Sequence, residues 1–125
     1  MRALEDNGIP IDHIGGRRIC PKSILYNFNS KKNWANGEGP YGGVVLDKAG
    51  NMYGTAGGGA YQCGVVYKLA PAAKGKWKYT VLHSLTGYDG CYPNANLIFD
   101  GKGNLYGTAI LGGAYGGGTA FELTP

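Results

Sequence analysis

Three cysteines are the most reactive side chains of this chain, and their number and spacing restrict what they can do. Because Cys20, Cys63 and Cys91 are an odd number, they cannot all form disulfides within one chain. The chain contains two tandem repeat units, described below. Cys63 and Cys91 lie in loops that these consecutive units could bring together. This predicts a disulfide if the compartment is oxidising, and two buried free thiols are the alternative. No Cys-x-x-Cys motif or histidine cluster accompanies the cysteines, so no metal site is predicted.

A histidine–serine pair is the second candidate for chemistry. His83 and Ser84, with Asp89 close in sequence, have the residue types of a catalytic triad. They are adjacent in a predicted strand, so their side chains point to opposite faces and a direct nucleophile–base pair is not expected. His83 stands where the first repeat has Tyr26, which favours a half-buried packing role. We therefore predict that the chain is not an enzyme and has no cofactor.

Two acidic turns, Asp47-Lys-Ala-Gly-Asn and Asp100-Gly-Lys-Gly-Asn, each join two predicted strands. A calcium site would need several converging oxygen ligands, and each turn offers one carboxylate. We expect the aspartate side chains to cap the backbone amides of the turns, with glycine supplying a left-handed conformation. The predicted structural positions are Asp47, Gly50, Asn51, Asp100, Gly103 and Asn104.

Aromatic side chains beside polar and glycine-rich loops are the candidates for ligand binding. Flat exposed rings near loop amides suit carbohydrate stacking or a protein partner, and packing between repeat units is the alternative. Tyr41 and Tyr92 adjoin such loops too. The predicted ligand-binding residues are Trp34, Tyr61, Tyr88 and Tyr115, of which Tyr61 and Tyr115 are equivalent in the repeat.

Composition indicates the elements that must position these residues. The chain has 125 residues, with 24 glycines, 6 prolines and 43% hydrophobic residues. Many tight turns among apolar residues are typical of an all-β protein, of one small domain or part of a larger one. No apolar run reaches the roughly 18 residues of a membrane-spanning helix, so no membrane span is predicted.

The net charge of the chain and its first 23 residues indicate whether it binds nucleic acid and in which compartment it lies. The net charge is +4, and the short basic cluster Lys74 to Lys78 is more typical of a solvated strand face than of a nucleic-acid site. No nucleic-acid partner is therefore predicted. Met1 to Ser23 lacks the continuous apolar segment of a signal peptide, so this chain taken by itself would stay in the cytoplasm.

Internal repeats organise the chain. Pro40 to Thr55 matches Pro93 to Thr108 at 7 of 16 positions with an offset of 53. Gly58 to Pro71 matches Gly112 to Pro125 at 7 of 14 positions with an offset of 54, and Ile24–Phe28 matches Val81–Leu85 at an offset of 57. The repeats predict a non-repetitive, flexible tail at 1–22, a first unit at 23–71 and a second unit at 72–125.

Each unit has four β-branched or aromatic runs bounded by turn residues, which predicts four antiparallel strands. In the first unit they are Ile24–Phe28, Gly43–Leu46, Met52–Thr55 and Gly64–Leu69. In the second they are Trp77–Leu85, Ala95–Phe99, Leu105–Ala109 and Gly118–Leu123. Four-stranded units of this length favour β-propeller blades over a two-sheet sandwich. Two blades do not close a propeller, so the chain is predicted to be a fragment of a longer protein or to assemble with copies of itself.

The repeated pattern Asp-x-x-Gly-Asn-Leu-Tyr-Gly-Thr, then Gly-Gly-Ala-Tyr, then Gly-Thr-x-Phe-x-Leu-Thr-Pro resembles the Gloeobacter/Verrucomicrobia-type tandem repeat over Ser23 to Pro125. The first copy departs from it at Val65, Val66, Tyr67 and Ala70. The resemblance implies a propeller-like fold within a long bacterial protein that is commonly exported or anchored at the surface. The family has no assigned activity, so no catalytic residue is carried over.

These observations predict a non-enzymatic β-propeller module for binding or surface structure, extracellular or at the cell surface in its parent protein. The first alternative is a lectin, in which two-blade chains close into a ring and bind carbohydrate between blades. The second alternative is a fragment of a propeller enzyme. Contact with neighbouring blades or self-association is expected in each case.

Overall fold

A computed structural model describes residues 11–12, 17–18, 23–28 and 34–125. These residues contain no α-helix and form β-strands joined by turns, among them a 3₁₀ turn at Ala73–Gly75, so the all-β prediction is confirmed. The predicted flexible tail and Cys20 lie outside the described residues, except for a two-stranded sheet of β1 (Ile11–Asp12) and β2 (Arg17–Arg18).

The first main sheet is an antiparallel meander of four strands in chain order. Its order is β3 (Val45–Leu46), β4 (Met52–Ala56), β5 (Val65–Pro71) and β6 (Trp77–Ser84). The hairpin between β5 and β6 is closed by a hydrogen bond from the Ala72 amide to the Lys76 carbonyl at 2.8 Å. The pairing of β5 with β6 shifts by one residue between Val66 and Tyr67, which is a β-bulge.

The second main sheet has three antiparallel strands, β7 (Ile98–Phe99), β8 (Leu105–Ala109) and β9 (Thr119–Leu123). Its register repeats that of the first sheet. Tyr106 faces Glu122 across β8 and β9, as Tyr53 faces Lys68 across β4 and β5. The short turns that join β3 to β4 and β7 to β8 carry the two predicted aspartates.

Two strand predictions need correction. The run Trp77–Leu85 was expected to open the second unit, but its strand β6 completes the first sheet, because the tight hairpin at residues 72–76 places it beside β5. Consequently the second sheet has three strands in the described chain instead of four. Ile24–Phe28 forms no strand: it packs through its side chains on the first sheet, where the ring of Tyr26 stacks on Tyr79 at 3.8 Å.

The two main sheets share a hydrophobic core. Tyr53 and Val66 of the first sheet pack with Leu97 and Leu105 of the second, and we call these four buried residues the junction cluster. The rings of Tyr53 and Phe99 meet edge to face at 5.3 Å across this boundary. The opposite face of the first sheet carries a second buried cluster, composed of Ala56, Val65, Tyr67 and Leu69.

Candidate binding site

The two acidic turns have the same geometry. In the first, Asp47 Oδ1 accepts the backbone amides of Ala49 and Asn51, both at 2.9 Å. Its Oδ2 accepts the Asn51 side-chain amide at 2.9 Å and the Tyr53 hydroxyl at 3.0 Å. Asp100 binds the Lys102 and Asn104 amides, the Asn104 side chain and the Tyr106 hydroxyl in the same way. Each carboxylate therefore accepts four hydrogen bonds, three from its own turn and one from the strand that follows it.

Electrostatics agree with this capping role. The Asn51 side chain, followed by the other donors, holds the pKa of Asp47 below its ordinary value. Asn104 is the main cause of the stronger lowering at Asp100. Accepting the Tyr106 hydroxyl, Asp100 in turn raises the pKa of Tyr106 to about 12. Ionised carboxylates that accept this many hydrogen bonds stabilise the turns that supply them.

A glycine-rich loop follows the second strand of each main sheet, β4 and β8, and the two loops form equivalent hydrogen bonds. Gly59 donates to the Trp34 carbonyl at 2.9 Å, and Gly113 donates to Gly87 at the same distance. The loops close when Gly64 donates to Gly58 and, in the second unit, when Gly118 donates to Gly112. The repeat seen in the sequence is therefore also a structural repeat of the loops.

A disulfide joins the first of these loops to the loop that leads into β7. Cys63 and Cys91 are bonded, with their sulfurs 2.16 Å apart. Beside the bond, the Tyr92 amide donates to the Cys63 carbonyl at 2.8 Å, and Cys91 forms an antiparallel bridge with Leu111. The disulfide and these hydrogen bonds fix the loops of the two units against each other.

A cavity of about 660 Å³ opens between these loops. Tyr41 is 81% exposed and Tyr92 is 49% exposed at its rim, and Glu38, Gln62 and Asn94 contribute polar side chains. Residues of both units form the wall, which consists of Glu38, Gly39, Pro40, Tyr41, Gly57, Gly58, Gln62, Tyr92, Pro93, Asn94 and Ile110. The size lies within the usual range for small-molecule sites.

Neighbouring contacts hold the cavity wall in place. Glu38 and Gly57 exchange two backbone hydrogen bonds, at 2.9 and 2.7 Å. The Tyr79 hydroxyl donates to the Asn36 carbonyl and so anchors the segment that leads to Glu38. Tyr92 has a left-handed backbone, with φ of 61°, and its carbonyl accepts the Ile110 amide at 3.2 Å. Tyr92 is therefore presented by constrained backbone.

The four aromatic residues predicted to bind ligand are exposed but do not line this cavity. Their exposed fractions run from 45% at Trp34 to 99% at Tyr115, with Tyr61 and Tyr88 between them. Tyr61 adjoins Gln62 of the cavity wall. The cavity is lined instead by Tyr41 and Tyr92. The sequence offers a signal for these two tyrosines, since each adjoins one of the repeat-equivalent prolines, Pro40 and Pro93.

The histidine of the rejected triad pairs with Asp89, the aspartate that the sequence analysis placed beside it. His83 Nε2 lies 2.6 Å from Asp89 Oδ2, and the Thr86 amide donates to the other oxygen of Asp89 at 2.8 Å. Burial opposes ionisation of Asp89, but the bonds from Thr86 and His83 outweigh it and lower its pKa. His83 pairs with Val66 and Ser84 with Val65, residues that belong to opposite faces, so the two side chains do not converge. The pair orders a turn.

The described part of the chain has neither a metal-ligand cluster nor a membrane-spanning helix. No group of three or more histidine, cysteine, aspartate or glutamate side chains there is placed to hold a metal ion. In that same part, no helix is long and apolar enough to cross a membrane.

Paired antiparallel sheets, duplicated turns and duplicated loops define an all-β tandem-repeat protein. The chain belongs to the Gloeobacter/Verrucomicrobia repeat family, whose model matches residues 18–125. This confirms the resemblance drawn from the sequence. No curated protein and no solved structure matches the chain significantly.

Proposed function

We propose that the chain is a non-enzymatic, propeller-type repeat module that binds its ligand at the junction of two stacked units. The observation that carries the proposal is the cavity between the units, because loops of both units build it and the disulfide fixes those loops. The face-to-face packing of the two sheets through the junction cluster supports neighbouring propeller blades. The role of His83 and Asp89 in a turn supports binding in preference to catalysis.

A carbohydrate is the ligand class that the cavity favours. Tyr41 and Tyr92 offer rings on which a sugar ring can stack, and Glu38 and Asn94 offer hydrogen-bonding groups beside them. This proposal differs from the lectin alternative drawn from the sequence, which closes two-blade chains into a ring and uses other aromatic residues. It requires only the two units of one chain.

A glycan array followed by calorimetric titration of the best glycan tests both statements. Tyr41→Ala and Tyr92→Asn should each weaken binding on the order of tenfold, because each removes a stacking ring. Asparagine is chosen at position 92 because it tolerates the left-handed backbone there. Tyr115→Ala is the matched control, since its ring is exposed and lies outside the cavity, and it should bind as the unsubstituted chain does.

Two results would contradict the proposal. If Tyr61→Ala and Tyr115→Ala abolished binding while the cavity variants retained it, the exposed tyrosines would be the ligand surface. If the chain cleaved the bound glycan, the non-enzymatic assignment would be wrong.

We further propose that the parent protein is exported or displayed at the cell surface. The Cys63–Cys91 disulfide supports an oxidising compartment, because disulfides are rare in the reducing cytosol. Trapping thiols during lysis of the native host and measuring the mass of the tryptic peptides tests this. A pair of alkylated, reduced cysteines in the native protein would count against export.

A further inference from the structure

One face of the second unit is exposed although the same face of the first unit is buried. In the first unit this face consists of Val45, Tyr53, Thr55 and Val66, and we call it the packing face. Tyr53, Thr55 and Val66 are buried, and Val45 packs against the junction cluster. The repeat places Ile98, Tyr106, Thr108 and Ala120 at the same positions of the second unit, where Ile98 is 63% exposed and Thr108 and Ala120 are exposed as well.

The surface that receives a packing face is also present twice. In the second unit, Leu97, Phe99 and Leu105 contact the packing face of the first unit as part of the junction cluster and its surroundings. The repeat equivalents in the first unit are Val44, Leu46 and Met52. Val44 and Leu46 are exposed, so an apolar receiving surface remains open on the first unit.

The segment Ile24–Phe28 packs on the first sheet much as Leu82 of β6 packs at the junction with the second sheet. Its equivalent in the repeat is Val81–Leu85, most of which belongs to β6. Leu82 of that strand packs against the junction cluster, and the equivalent Leu25 packs against the buried cluster of the first sheet. The segment therefore occupies the place of an outer strand from a preceding unit.

The second sheet offers an edge for such a strand. Strand β5 is paired on one side with β4 and on the other with β6, whereas its equivalent β9 is paired within the described chain with β8 alone. By the register of β5 with β6, a strand equivalent to residues 24–28 would place Tyr26 opposite Ala120 and Ile24 opposite Phe121.

We propose that a second copy of this chain docks head to tail on the second unit. The packing face around Ile98 and Ala120 of the first copy meets the receiving surface around Val44 and Leu46 of the second copy. The Ile24–Phe28 segment of the second copy pairs antiparallel with β9 of the first copy. The contact uses different surfaces on the two copies, so it builds either a closed ring or an open array. This inference rests on the proposed function in treating the chain as stacked repeat units.

The solution mass, measured by size exclusion with light scattering, tests the docking face. The unsubstituted chain should form an assembly larger than a monomer. Ala120→Arg should raise the dissociation constant roughly 100-fold or more, because docking would bury an unpaired charge. Ala114→Arg is the matched control, since Ala114 is an exposed loop alanine outside the packing face, and its assembly should equal that of the unsubstituted chain.

Cysteine cross-linking tests the register, with Cys20→Ser in every chain to remove the unpaired thiol. One batch carries Tyr26→Cys and another carries Ala120→Cys. Opposed antiparallel residues have Cα atoms about 5 Å apart, which a disulfide can span. Oxidising the mixture should therefore give a covalent dimer that neither batch gives alone.

Three outcomes would overturn the inference. They are an unsubstituted chain that is monomeric at micromolar concentration, an assembly that Ala120→Arg leaves intact, and a dimer that Ala120→Cys forms with itself. Glycan titration of the same samples separates the two proposals. A monomer that binds glycan through Tyr92 overturns the docking alone, and an assembly that binds no glycan overturns the proposed function alone.

Discussion

Removing the Cys63–Cys91 disulfide should lower the free energy of unfolding by an amount that follows from the loop it closes. The two cysteines are 28 residues apart. Cross-linking a loop of that length removes chain entropy from the unfolded state worth about 3.6 kcal/mol at 25 °C. For a domain of this size that corresponds to a decrease in the melting temperature on the order of 15 °C.

Urea unfolding followed by circular dichroism measures the difference. The reference and the test variant both carry Cys20→Ser, and the test variant also carries Cys63→Ala with Cys91→Ala, so that the two differ only at the disulfide. Both proteins are compared at one protein concentration, because any assembly would make stability depend on concentration. Adding a reducing agent should lower the stability of the reference to that of the test variant and leave the test variant unchanged.

A difference below about 1 kcal/mol would refute the reasoning, because the cross-link would then constrain little of the unfolded chain. A loss far larger than the entropic value would also contradict it. In that case the bond would be holding together loops that the hydrogen bond between Tyr92 and Cys63 cannot hold by itself.

Three other predictions concern the core, the turns and a close backbone approach. Leu105 is fully buried between the sheets, so Leu105→Ala should cost roughly 2–5 kcal/mol in urea unfolding, whereas Leu111→Ala at an exposed site should change stability little. The pKa of Asp100 is lowered by folding, so its contribution is present above the ordinary value of 3.8 and is lost as pH falls through the lower folded value. The unfolding free energy should decrease in acid, and less steeply in Asp100→Asn, when acid titrations of the two proteins are compared. A Cβ at Gly107 would lie 2.7 Å from Leu97 Cδ2, so Gly107→Ala should lower the melting temperature, whereas Gly101→Ala, with nothing within 4 Å, should not.

Much of the local structure was readable from the sequence. The two aspartate turns were predicted as caps because aspartate followed by glycine and asparagine satisfies the amides of a tight turn, and the structure has these bonds in both copies. Strand β8 has the predicted bounds, Leu105–Ala109, and the other matched strands differ by a few residues at their ends. Such features depend on residues close in sequence, so one repeat contains all the information for them.

Which strands pair with each other was harder to predict from the sequence. Trp77–Leu85 looked like the first strand of the second unit because the sequence repeat begins there, but the hairpin at 72–76 pairs it with the first sheet. A sequence repeat fixes the period of the chain and leaves open which strand closes each sheet. Likewise, the partnership of His83 with Asp89 depends on how the loop after β6 folds back.

By itself the sequence determined the all-β class, the two repeat units, the capped turns and membership of the repeat family, because each depends on local residue types and their period. Only the tertiary structure decided that the cavity is lined by Tyr41 and Tyr92, and that the packing face is buried in one unit and exposed in the other. Both depend on how distant loops and sheet faces meet, since identical residues in two repeats acquire different environments from their neighbours in space.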